Sequence, residues 1–166
     1  LPATQGFNTL FVLHMVAGGL GMWFRSRATG TTRGGSLLAA IAVAFTPKVY
    51  AHLGFGHIGL LYGAAYIPWV LWGAYLTAKG RLRYAGVLAL TLGLQIIANP
   101  QIAVYTGLVG AVYGFSTALG RENKNRRVYL LTFGYLAMAG LIALAVASIQ
   151  VFPMLRFAPL SARSGM

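Results

Sequence analysis

Long uncharged stretches, separated by short groups of Lys and Arg, run through the whole sequence. A helix needs about 20 apolar residues to cross the roughly 30 Å hydrocarbon core of a bilayer. Measured against that length, the stretches predict an all-α fold, a polytopic bundle of about six transmembrane helices. No linker or soluble domain interrupts the pattern, so residues 1–166 are predicted to form a single transmembrane domain.

The first two spans are predicted in residues 1–24 and 34–47. Between them lies a predicted loop, residues 25–33, that is rich in Arg, Thr and Gly. The second stretch has only 14 uncharged residues, which is short for a crossing. It is therefore either a short helix or one that continues past Lys48 toward Leu53.

The third span is predicted over residues 58–78, after an approach in residues 50–57 that contains glycine and histidine. Pro68 lies in the middle of this span and is expected to kink it, because proline has no N–H to donate to the preceding turn. Neighbouring helices in a membrane bundle can satisfy the carbonyl that such a kink frees.

Residues 84–120 form an uncharged run of 37 residues, about 55 Å long if wholly helical. That length suits two crossings, and Asn99-Pro100-Gln101 near the middle is a turn signal. The run therefore predicts a helical hairpin whose first arm covers residues 84–98. A last span is predicted over residues 128–152, with Pro153 ending it.

The distribution of positive charge supports these spans. Ten of the 13 Lys and Arg residues lie in three alternate loops, and the other loops hold only Lys48, Arg156 and Arg163. The positive-inside rule then places the basic loops in the cytoplasm and both ends of the chain outside. An outside end that begins at Leu1 predicts an upstream segment, either a cleaved signal peptide or another part of a longer protein.

The composition excludes several kinds of chemistry. Hydrophobic residues make up 58% of the chain, there is no cysteine, and Glu122 is the only carboxylate. A single acid cannot form the carboxylate pair of a glycoside hydrolase or a carboxylate-bound calcium or magnesium site, and thiol chemistry is absent. The cations are scattered between apolar runs, which argues against nucleic-acid binding, and the basic run 121–127 is typical of contact with anionic lipids.

The outer side of the predicted bundle carries a small set of residues suited to binding phosphate. These residues are Lys48, His52, His57, Asn99, Gln101, Arg156 and Arg163. They predict a basic pocket for a lipid phosphate. The alternative is that Lys48 snorkels to the membrane surface and the two arginines are solvated.

Gly54, Gly56 and Gly59 match a dinucleotide-binding fingerprint by spacing, but that fingerprint needs a βαβ unit and an acid about 20 residues later. The weaker prediction that remains is a glycine-rich turn whose N–H groups face an anion.

Three residues within the predicted spans have two interpretations each. His14 lies in the middle of the first span, where a structural histidine bonded to a carbonyl or hydroxyl is favoured over a haem, pigment or metal ligand. Trp69 and Trp72 flank Pro68 and are interpreted as packing or lipid contacts in preference to a platform for a sugar.

Several short motifs occur in order along the chain. They are Leu13-His14 with Ala17-Gly18-Gly19-Leu20-Gly21-Met22, the loop from His52 to His57 leading into Ile67-Pro68-Trp69-Val70-Leu71-Trp72, the turn Asn99-Pro100-Gln101, and Gln150, Pro153, Ser161 and Arg163. Together they resemble the bacterial YfhO-like membrane proteins over nearly the whole chain.

The YfhO-like proteins look like glycosyltransferases of the GT-C type. The resemblance implies a multi-pass protein of the bacterial inner membrane that transfers a sugar from a polyprenyl-phosphate donor to a cell-envelope acceptor at the outer face. It also implies that the outer polar residues line the donor site. The family's hairpin turn more often reads Gly-His-Pro-Gln, whereas this chain has Ala98-Asn99-Pro100-Gln101, which removes one possible proton carrier.

GT-C enzymes usually carry a catalytic acid in their first long outer loop, and Glu122 lies on the predicted inner side. The chain is therefore expected to be an internal fragment that holds no catalytic residue of its own.

Two functions from different classes follow. The first is a segment of a lipid-phosphate-dependent glycosyltransferase, with the bilayer and its anionic lipids as surroundings. The second is a non-catalytic transmembrane subunit of a respiratory or photosynthetic complex, packed against other subunits, in which His14 holds a pigment or haem. A transporter is disfavoured because the chain has no repeat and no acid placed to carry coupling protons.

Overall fold

The computed structural model describes residues 3–47, 51, 54–121, 126–157 and 159, and these residues form helices and turns without a strand. The all-α prediction is therefore confirmed for the described part of the chain. Its seven helices are α1 (Ala3–Ala28), α2 (Arg33–Ala44), α3 (Ile58–Ala65), α4 (Ile67–Ala78), α5 (Tyr84–Ala98), α6 (Pro100–Leu119) and α7 (Arg126–Phe157).

Three of these helices are long and apolar enough to cross a membrane. They are α6, α7 and the part of α1 that covers Thr4–Ala28. The helices α2 and α5 are apolar but shorter, with 12 and 15 residues. Large apolar side chains also face outward, such as Leu38 at 70% exposure and Ile149 at 76%. Water solvates such a surface poorly, whereas lipid solvates it well, so these features indicate a membrane protein.

The third predicted span consists of two helices instead of one kinked helix. The helix α3 ends at Ala65, Tyr66 separates the two segments, and α4 begins at Ile67 with Pro68 in its first turn. Proline is well accommodated there because the first N–H groups of a helix have no partner within it. Pro68 therefore starts a new helix at the position where the sequence predicted a bend.

The predicted hairpin is confirmed, with its first arm at the predicted bounds. The helix α5 ends at Ala98 and α6 begins at Pro100. Asn99 is extended between them, and its side-chain Oδ1 accepts a hydrogen bond of 3.0 Å from the Ile102 N–H. This is the capping bond that makes asparagine favourable before a helix.

Two predicted boundaries are wrong. The helix α1 continues through Arg25 to Ala28, so the loop predicted from residue 25 starts later. Arginine is a good helix former, and the Arg25 guanidinium lies over the Tyr113 ring, which gives this last turn a tertiary contact. The helix α7 continues past Pro153 to Phe157. The proline removes only one backbone hydrogen bond from a helix of 32 residues, a loss that membrane helices tolerate.

The helix α4 lies at the centre of the bundle and packs against α1, α3, α5, α6 and α7. Val70 and Ala74 of α4 form one buried cluster with Ala85, Leu88 and Ala89 of α5 and Ala139 of α7. In contrast, α2 packs against α1 alone among the described helices.

Glycines let these helices approach closely. A Cβ atom added at Gly73 would lie 2.9 Å from the Leu88 backbone nitrogen, and one added at Gly63 would lie 2.8 Å from Asn99 Cβ. Gly59 and Gly114 also face neighbours, since a Cβ added there would lie 3.1 Å from the Ala98 carbonyl oxygen and 3.2 Å from Leu136 Cδ1. Lipid is as apolar as the helix surfaces, so the hydrophobic effect does not drive helices together there. Close van der Waals contact between backbones stabilises the bundle instead.

The basic segments gather at one end of the bundle. Arg121, after α6, donates a hydrogen bond of 3.3 Å to the Ala78 carbonyl at the end of α4. Arg25, near the end of α1, lies 5.1 Å from the centre of the Tyr113 ring on α6. The start of α3 and the turn between α5 and α6 meet at the opposite end, where Gly59 approaches Ala98.

Candidate functional site

An open groove of about 420 Å³ lies at the end of the bundle opposite the basic segments. It brings together three of the predicted phosphate-binding residues, His57, Asn99 and Gln101. The rest of its lining is Gly56 and the first residues of α3, Ile58, Gly59 and Leu60.

Two helix amino termini face this groove. The helix α3 begins directly after Gly56 and His57, and α6 begins directly after Asn99. Gly56 has φ +73°, a backbone conformation that glycine adopts at little cost and that turns the chain into α3. Each terminus carries a partial positive charge of about half an elementary charge from its aligned peptide dipoles. The groove is therefore electropositive through its backbone, independently of any charged side chain.

The polar side chains at the groove differ in how they are held. The Oδ1 of Asn99 caps α6, which leaves the amide Nδ2 on the side of Gly59. Gln101 is exposed in the first turn of α6, and His57 is exposed at the start of α3. The arrangement offers amide and imidazole N–H groups at two helix amino termini, which is a combination suited to an anion.

The other predicted members of the pocket do not extend this group within the described residues. Arg156 is exposed on α7 and lines a separate depression with Phe152, Pro153 and Phe157. Lys48, His52 and Arg163 lie outside the described residues. The structure thus unites His57, Asn99 and Gln101 and places Arg156 elsewhere.

A buried amide that the sequence analysis did not identify lies directly beneath the groove. Gln95 of α5 is fully buried, and its Nε2 donates to the Gly63 carbonyl at 2.8 Å and to Thr106 Oγ1 at 3.1 Å. These bonds join α3, α5 and α6 just below the hairpin turn. The signal was present in the sequence, because an amide inside an apolar run normally faces the interior of a bundle.

His14 has the local partners expected of a structural histidine. Its Nδ1 lies 2.8 Å from the Leu10 carbonyl oxygen, and its ring stacks on Tyr62 at 4.1 Å. The described residues contain no group of three or more His, Cys, Asp or Glu that could hold a metal ion. His14 also lines a cleft of about 520 Å³ that lies between α1, α2 and the bent pair α3 and α4.

The tryptophans beside Pro68 pack within the protein. Trp69 donates an indole hydrogen bond of 2.8 Å to the Ala17 carbonyl, and its ring lies against Gly21, where a Cβ would approach to 2.6 Å. Trp72 contacts Phe24 and Tyr84 with ring centres 5.3 Å and 5.1 Å apart. Trp69 therefore fastens α1 to α4, in agreement with the packing interpretation.

No family model, curated protein or solved structure significantly matches this chain. The resemblance to the YfhO-like proteins accordingly stays a prediction made from the motifs in the sequence.

Proposed function

We propose that this chain is a membrane-spanning segment of a GT-C-type glycosyltransferase of the bacterial inner membrane, and that the groove binds the phosphate of a polyprenyl-phosphate sugar donor. The observation that carries this proposal is the meeting of two helix amino termini at one polar groove, at the end of the bundle remote from the basic segments. With six spans and the basic loops inside, this groove faces the outer side of the membrane.

The groove's residues have separate roles in the proposal. The Gly59 and Gln101 N–H groups, in the first turns of α3 and α6, stabilise the phosphate, and the side chains of His57, Asn99 and Gln101 orient it. Lys48, His52 and Arg163 supply further charge and hydrogen bonds in this proposal, whereas Arg156, in its separate depression, is given no role at the groove. When the bond between the sugar and the lipid phosphate breaks, the departing phosphate gains negative charge, and donors aimed at it lower the barrier.

The general base of the reaction is proposed to lie in another part of a longer polypeptide. The chain's only acid, Glu122, lies outside the described residues, and none of the residues that line the groove is an acid. The residues of this chain therefore bind and position the donor, and no catalytic residue is assigned among them.

The test is the turnover of a polyprenyl-phosphate-linked sugar by the full-length protein in membranes. We expect His57→Ala with Gln101→Ala to raise the KM for the donor about tenfold, as lost hydrogen bonds to a charged group do. Asn99→Asp keeps the helix cap but adds a negative charge at the groove, so we expect a larger loss. Arg81→Gln, at the basic end, is the control. Unchanged turnover in both groove variants would refute the assignment.

The second candidate function is a non-catalytic subunit of a larger membrane complex, and the geometry of His14 favours it. The contact of Nδ1 with the Leu10 carbonyl leaves Nε2 as the ring nitrogen for a haem or pigment, the arrangement common around ligating histidines. This function predicts a coloured protein that purifies with partner subunits in fixed ratio and loses its absorption in His14→Ala. A colourless protein that purifies without partners would contradict it.

A further inference from the structure

The cleft between α1, α2 and α4 combines an apolar wall with one charged end. Its wall is formed by residues that include Met15 and Met22 of α1, Ala42 and Val43 of α2, and Pro68 and Leu71 of α4. Along α1 the cleft extends from His14 to Arg25, about 16 Å at 1.5 Å per residue. An apolar cleft of about 520 Å³ with polar groups only at particular points has the properties of a ligand site.

Arg25 is the unusual feature of this cleft. It is half-buried, and its Nε is buried without a hydrogen-bond partner. Its described partner is the ring of Tyr113, 5.1 Å from the guanidinium carbon. None of the described residues is an acid, because Glu122, the chain's only carboxylate, lies outside them. A guanidinium in an apolar environment without a counter-charge is costly, so this site favours an anion from outside the described part of the protein.

The surroundings of Arg25 strengthen the positive potential. Tyr113 stacks on Tyr75 of α4 with ring centres 5.9 Å apart, and Lys79 Nζ lies 5.7 Å from the Tyr75 ring. A cation therefore lies on each side of the tyrosine pair. These tyrosines lie at the basic end of the bundle, where aromatic and basic side chains are typical of the boundary between lipid headgroups and hydrocarbon.

From this charge complementarity we propose that the cleft binds one anionic phospholipid of the surrounding membrane. One acyl chain lies along the apolar wall toward His14, and the phosphate pairs with Arg25 beside the Tyr113 ring. Neither the helix amino termini of the groove nor the residues that line it take part. This site therefore lies at the other end of the bundle from the proposed donor groove, and either proposal can fail without the other.

The experiment measures which lipids the protein retains. The full-length protein is reconstituted in vesicles of phosphatidylcholine and phosphatidylglycerol in equal amounts, extracted in mild detergent and examined by native mass spectrometry. We expect the unmodified protein to retain one phosphatidylglycerol and little phosphatidylcholine. Arg25→Gln should reduce the retained phosphatidylglycerol about tenfold, because a charge-assisted contact is lost. Arg81→Gln removes an equal charge from an exposed position at the same end and should leave retention unchanged.

A second pair of variants tests the cleft without altering its charge. Ala42 is exposed on α2 and lines the cleft, so Ala42→Trp should fill it and expel the acyl chain without overpacking the core. Leu38→Trp places the same ring on α2 away from the residues that line the cleft. Equal retention in Arg25→Gln and Arg81→Gln, or phosphatidylcholine retained as well as phosphatidylglycerol, would overturn the proposal. The proposal would also be overturned if Ala42→Trp dispersed an oligomer while lipid retention stayed constant. In that case a second copy of the chain would occupy the cleft.

Discussion

The two sides of this bundle differ in how many helices pack against one another. In the part formed by α4, α5, α6 and α7, small residues bring the helices into close contact, and the α5–α7 interface is the most extensive among the described helices. The stripe Ala139, Ala143 and Ala147 of α7 is almost completely buried there. In the part formed by α1 and α2, α2 has α1 as its one described partner, and a cleft separates it from α4.

The size of the remaining cavities reflects this difference. The cavity among α4, α5, α6 and α7 measures about 180 Å³, whereas the cleft beside α1 and α2 measures about 520 Å³. In lipid, helices associate through close van der Waals contact and a few polar bonds, and small residues close the α1–α2 interface as well, where Gly19 approaches Ala40. The comparison teaches that α2 is held by α1 alone among the described helices, so the space between α2 and α4 stays open to a ligand.

The largest expected effect comes from forcing the closed side apart. Gly73→Leu places a side chain where the Leu88 backbone lies, because a Cβ at Gly73 would be 2.9 Å from the Leu88 nitrogen. Backbone cannot move aside as a side chain can, so we expect a loss of about 3 kcal/mol in the free energy of unfolding. Equilibrium unfolding in detergent micelles measures it. Gly134→Leu is the matched control, since a Cβ there meets nothing within 4 Å, and equal losses in both would contradict the model of close packing.

The next effect concerns the buried amide of the closed side. Gln95→Leu keeps the side-chain size but removes the bonds to the Gly63 carbonyl and Thr106 Oγ1. We expect a loss of about 1.5 kcal/mol, near the upper end for polar contacts between membrane helices. Thr106→Val removes one of the two bonds and should cost less. A double-mutant cycle with both changes should reveal coupling, and strictly additive losses would show that the two side chains act independently.

A smaller effect is expected at the contact between α1 and α4, which joins the two sides of the bundle. Trp69→Phe retains an aromatic ring against Gly21 but loses the hydrogen bond to the Ala17 carbonyl. We expect a loss of about 1 kcal/mol and a faster hydrogen exchange of the α1 amides, with those of α5 unchanged. For comparison, Trp72→Phe removes an indole whose described contacts are aromatic rings. If Trp72→Phe raised the hydrogen exchange of the α1 amides as much, the hydrogen bond of Trp69 would not be what holds α1 against α4.

The smallest effect on stability is expected at the hairpin turn. Asn99→Ala removes the cap of α6, for which we expect about 0.5 kcal/mol, the low end for capping residues, because Asn99 is only half-buried. Asn99→Asp preserves the capping oxygen and should restore stability while weakening anion binding in the groove. Thermal unfolding and donor binding, measured on the same samples, separate the two roles. A stability loss shared by both variants would mean that the capping bond is not what Asn99 supplies.

The hairpin and the bend at Pro68 were predictable because both depend on local chemistry. Asn99-Pro100 stops one helix and starts the next through its own backbone preferences and a capping oxygen, so neighbouring residues alone carry the information. The errors at Arg25 and Pro153 arose because the usual local signals for a helix end were overridden. A charge and a proline usually mark helix ends, but Arg25 gains a tyrosine ring from α6, and Pro153 lies in a helix long enough to tolerate one lost bond.

The candidate groove was predictable only in part. The sequence identified His57, Asn99 and Gln101 as polar residues of one side, and the structure brings all three together. Gln95 was missed because its partners, the Gly63 carbonyl and Thr106, lie on two other helices. Arg156 was grouped with the pocket by charge and predicted sidedness, but the structure places it in a depression of its own on α7.

The helical class, most helix positions and the segregation of charge into short segments follow from residues that are near one another in the chain, because helix formation in an apolar chain is local. The tertiary structure was needed to show which helices pack against each other, which glycines a neighbouring backbone approaches, and where a cleft stays open beside the half-buried Arg25. Those outcomes depend on the shapes of surfaces that lie far apart in the chain. In lipid, helices associate through close van der Waals contact. How closely two helices approach depends on the surfaces of both, so it cannot be read from either segment alone.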